Sequence, residues 1–208
     1  GIQKDTLHLS YMDPFNQKEL LNEFASQGVQ AVSLEMIPRT TLAQKMDVQS
    51  SQTSLAGYVA VLNAASHLPK ALSMMVTPAG ANSLRSSFWL TESPEQIAKQ
   101  KEAQAKVCEK SNIVITTAKV FGRKAPRLIE KNVLDRMMPG SIVVDMACST
   151  GGNVEGSKLF ENVVTENGVT IMSGDMLERQ VPYDASKMFS GNITAFLTHF
   201  YDKETKEF

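Results

Sequence analysis

The sequence predicts an α/β fold with parallel sheets, and three observations carry that expectation. Short β-branched or alternating runs take turns with helical stretches along the whole chain. The first strand, helix and strand follow each other so closely that only a parallel pair with a right-handed crossover accommodates them. A second set of three apolar segments, Ile113 to Thr117, Ile142 to Met146 and Val169 to Met172, has strand length and β-branched content and implies a second α/β unit.

The elements follow in order. Thr6-Leu-His-Leu-Ser10 alternates as a strand does, and Asp13-Pro14-Phe15-Asn16 supplies a turn. Leu20, Leu21 and Phe24 then mark a helix that Gly28 stops, and Val29 to Met36 reads as the second strand. From Thr40 to Ser66 a helical pattern runs with one glycine and no proline. Val48, Leu55, Val59 and Leu62 share one face of it, and Asp47, Ser50, Ser54 and Tyr58 another. Met74 to Gly80 reads as a short strand or loop, and Ala81 to Trp89 has no clear period. Ser93-Pro94-Glu95-Gln96 opens a helix reaching about Lys110 with a capping box. Ala125 to Met138 is helical in pattern with Gly140 as its stop, and Asp184 to Tyr201 is the last helix before a charged tail.

Composition narrows the function classes. The 208 residues are 42% hydrophobic and 21% charged, with 21 Lys plus Arg against 22 Asp plus Glu. This profile suits a soluble globular protein with no nucleic-acid partner, and it excludes an acidic disordered chain. Cys108 and Cys148 are too few for a disulfide framework and lack zinc spacing, which points to a reducing compartment. No apolar run reaches the roughly 18 to 20 residues that cross a bilayer, so direct membrane insertion of this segment is not expected. His8, His67 and His199 stand apart from other ligand types, and no metal site is expected. Nucleophile-elbow, P-loop and H-E-x-x-H motifs are absent. So is G-x-G-x-x-G, and the nearest glycine cluster is Gly151-Gly152-Asn153 after the strand Ile142 to Met146. Asn192-Ile-Thr194 formally fits a glycosylation acceptor, a coincidence within a helix of an intracellular chain.

Two stretches carry a family resemblance. Glu35-Met-Ile-Pro-Arg39-Thr-Thr-Leu-Ala-Gln44-Lys-Met-Asp47-Val-Gln-Ser50-Ser-Gln52-Thr-Ser-Leu-Ala-Gly57-Tyr58 closely resembles the NAD(H)-binding domain I of the alpha subunit of proton-translocating NAD(P) transhydrogenases. Ile115-Thr-Thr-Ala118, Gly122-Arg-Lys-Ala-Pro126, Pro139-Gly-Ser-Ile-Val-Val-Asp145 and Gly151-Gly-Asn153 resemble it independently, in the right order. The resemblance implies two Rossmann-like subdomains with parallel sheets, linked by long helices. Residues 1–57 with 187–208 would form the first, and 58–186 the NAD-binding one.

It also implies a site. Arg39, Gln44, Asp47 and Ser50 would surround the nicotinamide and adjoining ribose of NAD(H), with Thr40 and Thr41 in the same loop and Tyr58 supporting it. Catalytic roles fall on Arg39, Gln44 and Asp47. The residue types suit such a site, since Arg39 offers a planar fork to carboxamide or phosphate oxygens, Gln44 donates and accepts, and Asp47 can fix the arginine. Gln100 and Lys119 align with cofactor-contacting positions. Lys119 replaces the usual apolar residue, so the contact inferred there is through the backbone, and Ser149 stands where the family usually has an acid.

The implied chemistry is hydride transfer from NADH held here to NADP(H) held on a partner domain III, coupled to proton movement through membrane domain II. The work of this chain would be proximity and orientation. The implied setting is a homodimer, peripheral on the cytoplasmic or mitochondrial-matrix side of a membrane. Alanine dehydrogenase, a soluble NAD-dependent relative, and a nonenzymatic dimerisation module are the competing readings.

One departure is large. The family's βαβ unit with its glycine-rich pyrophosphate loop is missing between Thr77-Pro78-Ala79-Gly80 and about Leu90, as is the usual start of the domain before Gly1. The flanks stay in register, so the expectation is that these 208 residues are parts of a longer chain. A natural deletion would strip central strands from a parallel sheet and expose two edges. An intact mass well above 22.8 kDa would support the longer chain.

Overall fold

The structure, a computed structural model, describes residues 3–70, 94–120, 122–202, 204 and 205, with 94–98 by backbone alone. The expected element at Met74–Gly80, the stretch Ala81–Trp89, Ser93 of the capping box and the position of the missing unit lie outside the described residues. The chain divides into two compact units, Gly1–Val59 with Met176–Phe208, and Ala60–Asp175.

In the first unit, strands β1 (Leu7–Ser10) and β2 (Gln30–Ser33) pair in parallel, Leu7 opposite Gln30 and Ser10 opposite Ser33. Helix α1 (Lys18–Ser26) makes the crossover and ends before Gly28, whose φ of 69° is the left-handed stop expected there. The second strand is shorter than its apolar run Val29 to Met36. Leu34–Met36 closes into a 3₁₀ turn, and Leu34 is 1% exposed.

The helix expected from Thr40 starts only at Val48, as α2 (Val48–His67). Gln44–Met46 before it is a separate 3₁₀ turn. The physical reason is Asp47, whose Oδ1 accepts the Ser50 amide at 2.9 Å and so satisfies one of the unpaired donors of a helix start. Of the predicted apolar face, Val48 and Val59 are buried, whereas Leu62 is 48% exposed. The final helix, α5 (Pro182–Phe200), opens with proline in its first turn and packs on the Gln44–Met46 turn.

In the second unit, helix α3 (Pro94–Glu109) leads to β3 (Ile113–Thr116), followed by the short α4 (Lys131–Leu134), β4 (Ile142–Asp145), β5 (Val163–Val164) and β6 (Thr170–Ser173). The strand order is β3-β4-β6-β5, with the first three parallel and β5 antiparallel at the edge. The core gathers Cys108, Ile129, Leu134, Met137, Val143, Val154, Val169 and Ile171, all under 5% exposed. β4, central in the sheet, is buried along its whole length, as expected of a strand covered on both faces.

The helix expected over Ala125 to Met138 shrinks to α4. The amides of Ala125, Leu128 and Ile129 donate to the carbonyls of Thr150 and Asn153 instead of to helical partners, at 2.8 to 3.0 Å. Once those amides are spent on the neighbouring loop, a helix cannot form there.

Candidate functional site

In the first unit the loop Pro38–Thr41, the Gln44–Met46 turn and the start of α2 bring together most of the predicted residues. Asp47 is 6% exposed and doubly engaged with Ser50, whose hydroxyl donates to Oδ2 at 2.5 Å while its amide donates to Oδ1. Arg39 Nε stands 3.9 Å from Asp47 Oδ2, with its side chain 64% exposed. Thr40, Thr41, Gln44 and Ser50 are exposed beside it in the sequence, and Thr40 Oγ1 also accepts the Ala43 amide at 3.4 Å. The buried carboxylate therefore anchors the helix start and faces an arginine whose donors remain largely open to solvent. Tyr58 lies on α2 eleven positions after Asp47, about three turns along the helix, and is exposed.

Asn192 of α5 matters here for a reason unrelated to its glycosylation-like pattern, because it supports this loop from within the unit. It is 9% exposed. Its Nδ2 donates to the Lys45 carbonyl at 2.8 Å, and its Oδ1 accepts the Ser51 hydroxyl at 2.7 Å. Gln52 donates to the Ala185 carbonyl at 3.1 Å and adds a second tie between α2 and α5.

The same unit holds a cavity of about 360 Å³ lined by Tyr11, Gln52, Glu178, Ala185, Ser186 and Phe189, none of them predicted as site residues. Burial, reinforced by the carboxylates of Glu35, Glu178 and Asp47, pushes the Tyr11 phenol up to about 12. Glu35 stands nearby on the chain fold, its Oε1 accepting the amides of Met12 at 2.9 Å and Asp13 at 2.5 Å. Its own burial works against ionisation, but the adjacent Ser33 hydroxyl and the surrounding amides outweigh this and hold its carboxyl below the ordinary range. The signal that could have identified Tyr11 is its place just past the carboxyl end of a parallel strand.

In the second unit, Gln100 is exposed on α3 and Lys119 is exposed in the loop after β3. Lys119 Nζ donates to Ser149 Oγ at 3.0 Å and stands 3.4 Å from Asp175 Oδ1. Asp175 also accepts the Ser149 hydroxyl at 2.6 Å and the Ser149 amide at 3.0 Å. The two departures from the family pattern thus meet each other.

The glycine cluster serves the fold. Gly151 and Gly152 have φ of 101° and 74°, and a Cβ on Gly152 would come within 2.5 Å of Ser157 Oγ and 2.9 Å of Asp145 Oδ2. Asn153, fully buried, spends its amide on Ala118 and Pro126, and Asp145 accepts the amides of Ala147 and Val154. Among the described residues no three His, Cys, Asp or Glu side chains group as metal ligands, and no helix is long and apolar enough to cross a membrane.

Comparison with known proteins agrees with this architecture. Residues 81–208 match the family described as alanine dehydrogenase/PNT, C-terminal domain. The first of the separately encoded pieces of the NAD(P) transhydrogenase alpha subunit of Rickettsia prowazekii is 33% identical over 245 residues, which take in 90% of this chain and 64% of the relative. This chain thus spans less than two thirds of that relative. An alignment longer than the chain itself also means that the relative carries internal residues without a counterpart here. The crystal structure of transhydrogenase from Sinorhizobium meliloti matches with a TM-score of 0.79 and 32% identity, over 94% of this chain and 68% of that one. An L-alanine dehydrogenase shares the fold, with a TM-score of 0.63 at 16% identity over 99% of this chain and 70% of that one. A family match over more than half the chain, together with a third of its residues shared with a transhydrogenase, places the protein: it belongs to the alanine dehydrogenase/PNT family, among the NAD(P) transhydrogenase alpha subunits.

Proposed function

We propose that this chain is the NAD(H)-binding component of a transhydrogenase, with residues 1–57 and 187–208 as one Rossmann-like subdomain and 58–186 as the cofactor-binding one. The single observation that carries the reading is the Arg39–Asp47–Ser50 arrangement. A buried carboxylate, satisfied by Ser50, faces an arginine that keeps most of its donors exposed. With the exposed Thr40, Thr41, Gln44 and Ser50, this donor set fits the carboxamide and ribose of a nicotinamide nucleotide.

Bound there, NAD(H) would supply the hydride that passes to NADP(H) on a partner domain III, coupled to proton translocation through membrane domain II. Arg39 and Gln44 orient the nicotinamide half. Asp47 holds Arg39 and the start of α2, Tyr58 supports the helix, and Gln100 and Lys119 are the cofactor contacts of the second unit. No side chain has to move a proton at the reacting carbons, so these residues act by proximity and orientation. The assembly is a homodimer, peripheral on the cytoplasmic or matrix side of the membrane.

The test is Gln44→Ala in the intact enzyme. Hydride transfer should fall far more than folding stability changes, and near-normal transhydrogenation by the folded variant would overturn the reading. Robust pyruvate formation from alanine and NAD+ by the unmodified enzyme would favour an alanine dehydrogenase instead.

A further inference from the structure

The carboxyl ends of three adjacent parallel strands each contribute one member of a polar cluster. Lys119 follows β3, Ser149 follows β4 and Asp175 follows β6. Ligands of open α/β sheets gather at this edge. Asp175 has a side chain 4% exposed, and it is held by both the amide and the hydroxyl of Ser149. It anchors Lys119 from below, and Ser149 Oγ accepts a second ammonium hydrogen at 3.0 Å. The ammonium has three donors, and the side chain remains 47% exposed, so the cluster fixes one end and leaves a donor facing outward. From Thr117 to Arg127 the loop carries Lys119, Arg123, Lys124 and Arg127 and no acid. Arg127 is occupied by the carbonyls of Val154 and Gly151, whereas Arg123 and Lys124 are exposed.

We infer that the Lys119 side chain, positioned by Ser149 and Asp175, binds a phosphate oxyanion of a dinucleotide. This deepens the NAD(H) reading and rests on it: the backbone contact expected at Lys119 becomes a side-chain charge contact. The oxyanion comes either from the pyrophosphate of the dinucleotide held here or from the 2′-phosphate of the one brought by a partner domain. A primary ammonium pinned by a buried acid recognises both through the same chemistry.

The experiment is equilibrium titration of the intact enzyme with NADH, NADPH and inorganic pyrophosphate at low and high salt. The variants are Lys119→Met, Lys119→Arg, Ser149→Ala and Asp175→Asn, each checked for an unchanged unfolding midpoint. Lys119→Met should weaken binding about tenfold and flatten its salt dependence, since a charged hydrogen bond is lost. Lys119→Arg should keep the salt dependence, and the Ser149 and Asp175 variants should weaken binding to a smaller degree. A loss with NADH and pyrophosphate assigns the pyrophosphate; a loss confined to NADPH assigns the 2′-phosphate. Folded Lys119→Met that binds all three probes within twofold of the unmodified enzyme, with the same salt dependence, overturns the inference and leaves the NAD(H) reading standing. If the unmodified enzyme does not bind NADH, the functional reading fails on its own. Pyrophosphate binding lost in Lys119→Met would then still support the oxyanion site, and pyrophosphate binding absent or unaffected would overturn it.

Discussion

Asp47 grips Ser50 twice, accepting its amide at 2.9 Å on one carboxylate oxygen and its hydroxyl at 2.5 Å on the other. The first bond is an N-cap, and the second satisfies the remaining oxygen of a nearly buried side chain. Asp47→Ala should therefore cost about 1–2 kcal/mol of stability, whereas Asp47→Asn, which can still cap, should cost much less. Arg39 reaches Asp47 only at 3.9 Å from an exposed position, so Arg39→Ala should stay within about 0.5 kcal/mol of the unmodified protein. Urea unfolding of the three variants checks the order. An Asp47→Ala protein as stable as Arg39→Ala would mean the cap contributes nothing.

Asn192 joins the Lys45 carbonyl to the Ser51 hydroxyl from a buried position. Asn192→Ala strips both partners of their bonds and should destabilise by about 1–3 kcal/mol, despite alanine's better helix propensity. The measurement is the denaturant midpoint. The outcome at odds with this account is a variant that unfolds at the same concentration.

These two examples mark what can be read from the sequence and what cannot. The parallel α/β class is legible because β-branched runs such as Ile142 to Asp145 and the tight β1–α1–β2 unit leave few other folds. Helix boundaries are less so. Thr40 to Met46 carries a helical pattern, but a capping acid at position 47 and the pairing of Lys45 with α5 set the start at Val48. Ala125 to Met138 fails similarly, its amides captured by Thr150 and Asn153 far along the chain. The antiparallel β5 escapes the sequence-based expectation, although Thr165-Glu-Asn-Gly168 before β6 carries the Asn-Gly signal of a hairpin. The Arg39 loop can be named from motif resemblance, while Asn192 and Asp175 matter only through partners distant in sequence, which no local pattern encodes.

Asn153 is the equivalent keystone of the second unit. Fully buried, it accepts from the Ala118 amide at 3.0 Å and donates to the carbonyls of Ala118 and Pro126 at 2.9 and 2.8 Å. Replacing it by Leu, close in volume but without polar atoms, leaves three backbone groups unpaired in the interior. The expected loss is about 2–4 kcal/mol, since each orphaned group costs about 1–3 kcal/mol and partial rearrangement recovers some of it. Hydrogen exchange of the Ala118 amide provides the local readout, with protection expected to disappear well before global unfolding. Retained protection would show that Asn153 does not hold the loop.

Glu35 sets an acid limit on the first unit. Its carboxyl titrates below the ordinary value of 4.5 in the folded chain, so the folded state favours the ionised form. The stability this contributes is present above 4.5 and is lost as pH falls through the lower, folded value. Glu35→Gln should remove part of the acid sensitivity of the unfolding midpoint, while leaving its dependence near neutral pH unchanged. Midpoints measured from about pH 3 to 7 should converge for the two proteins at the acid end. Parallel curves would exclude Glu35 as a contributor.

Tyr11 is perturbed at the opposite end of the scale. Burial, followed by the negative charges of Glu35, Glu178 and Asp47, raises its phenol from 10.0 to about 12. The folded state therefore favours the protonated phenol. The associated stability is complete below pH 10 and is lost as pH rises toward 12. Tyr58 and Tyr183, both more than half exposed, provide ordinary phenols for comparison. An ultraviolet titration of the folded protein should show one late phenol that disappears in Tyr11→Phe. In Glu178→Gln, where one of the three carboxylates facing the phenol is neutral, that late step should move to lower pH. A Tyr11 step that coincides with the exposed tyrosines would mean that neither burial nor the surrounding carboxylates act on the phenol at the mouth of this cavity.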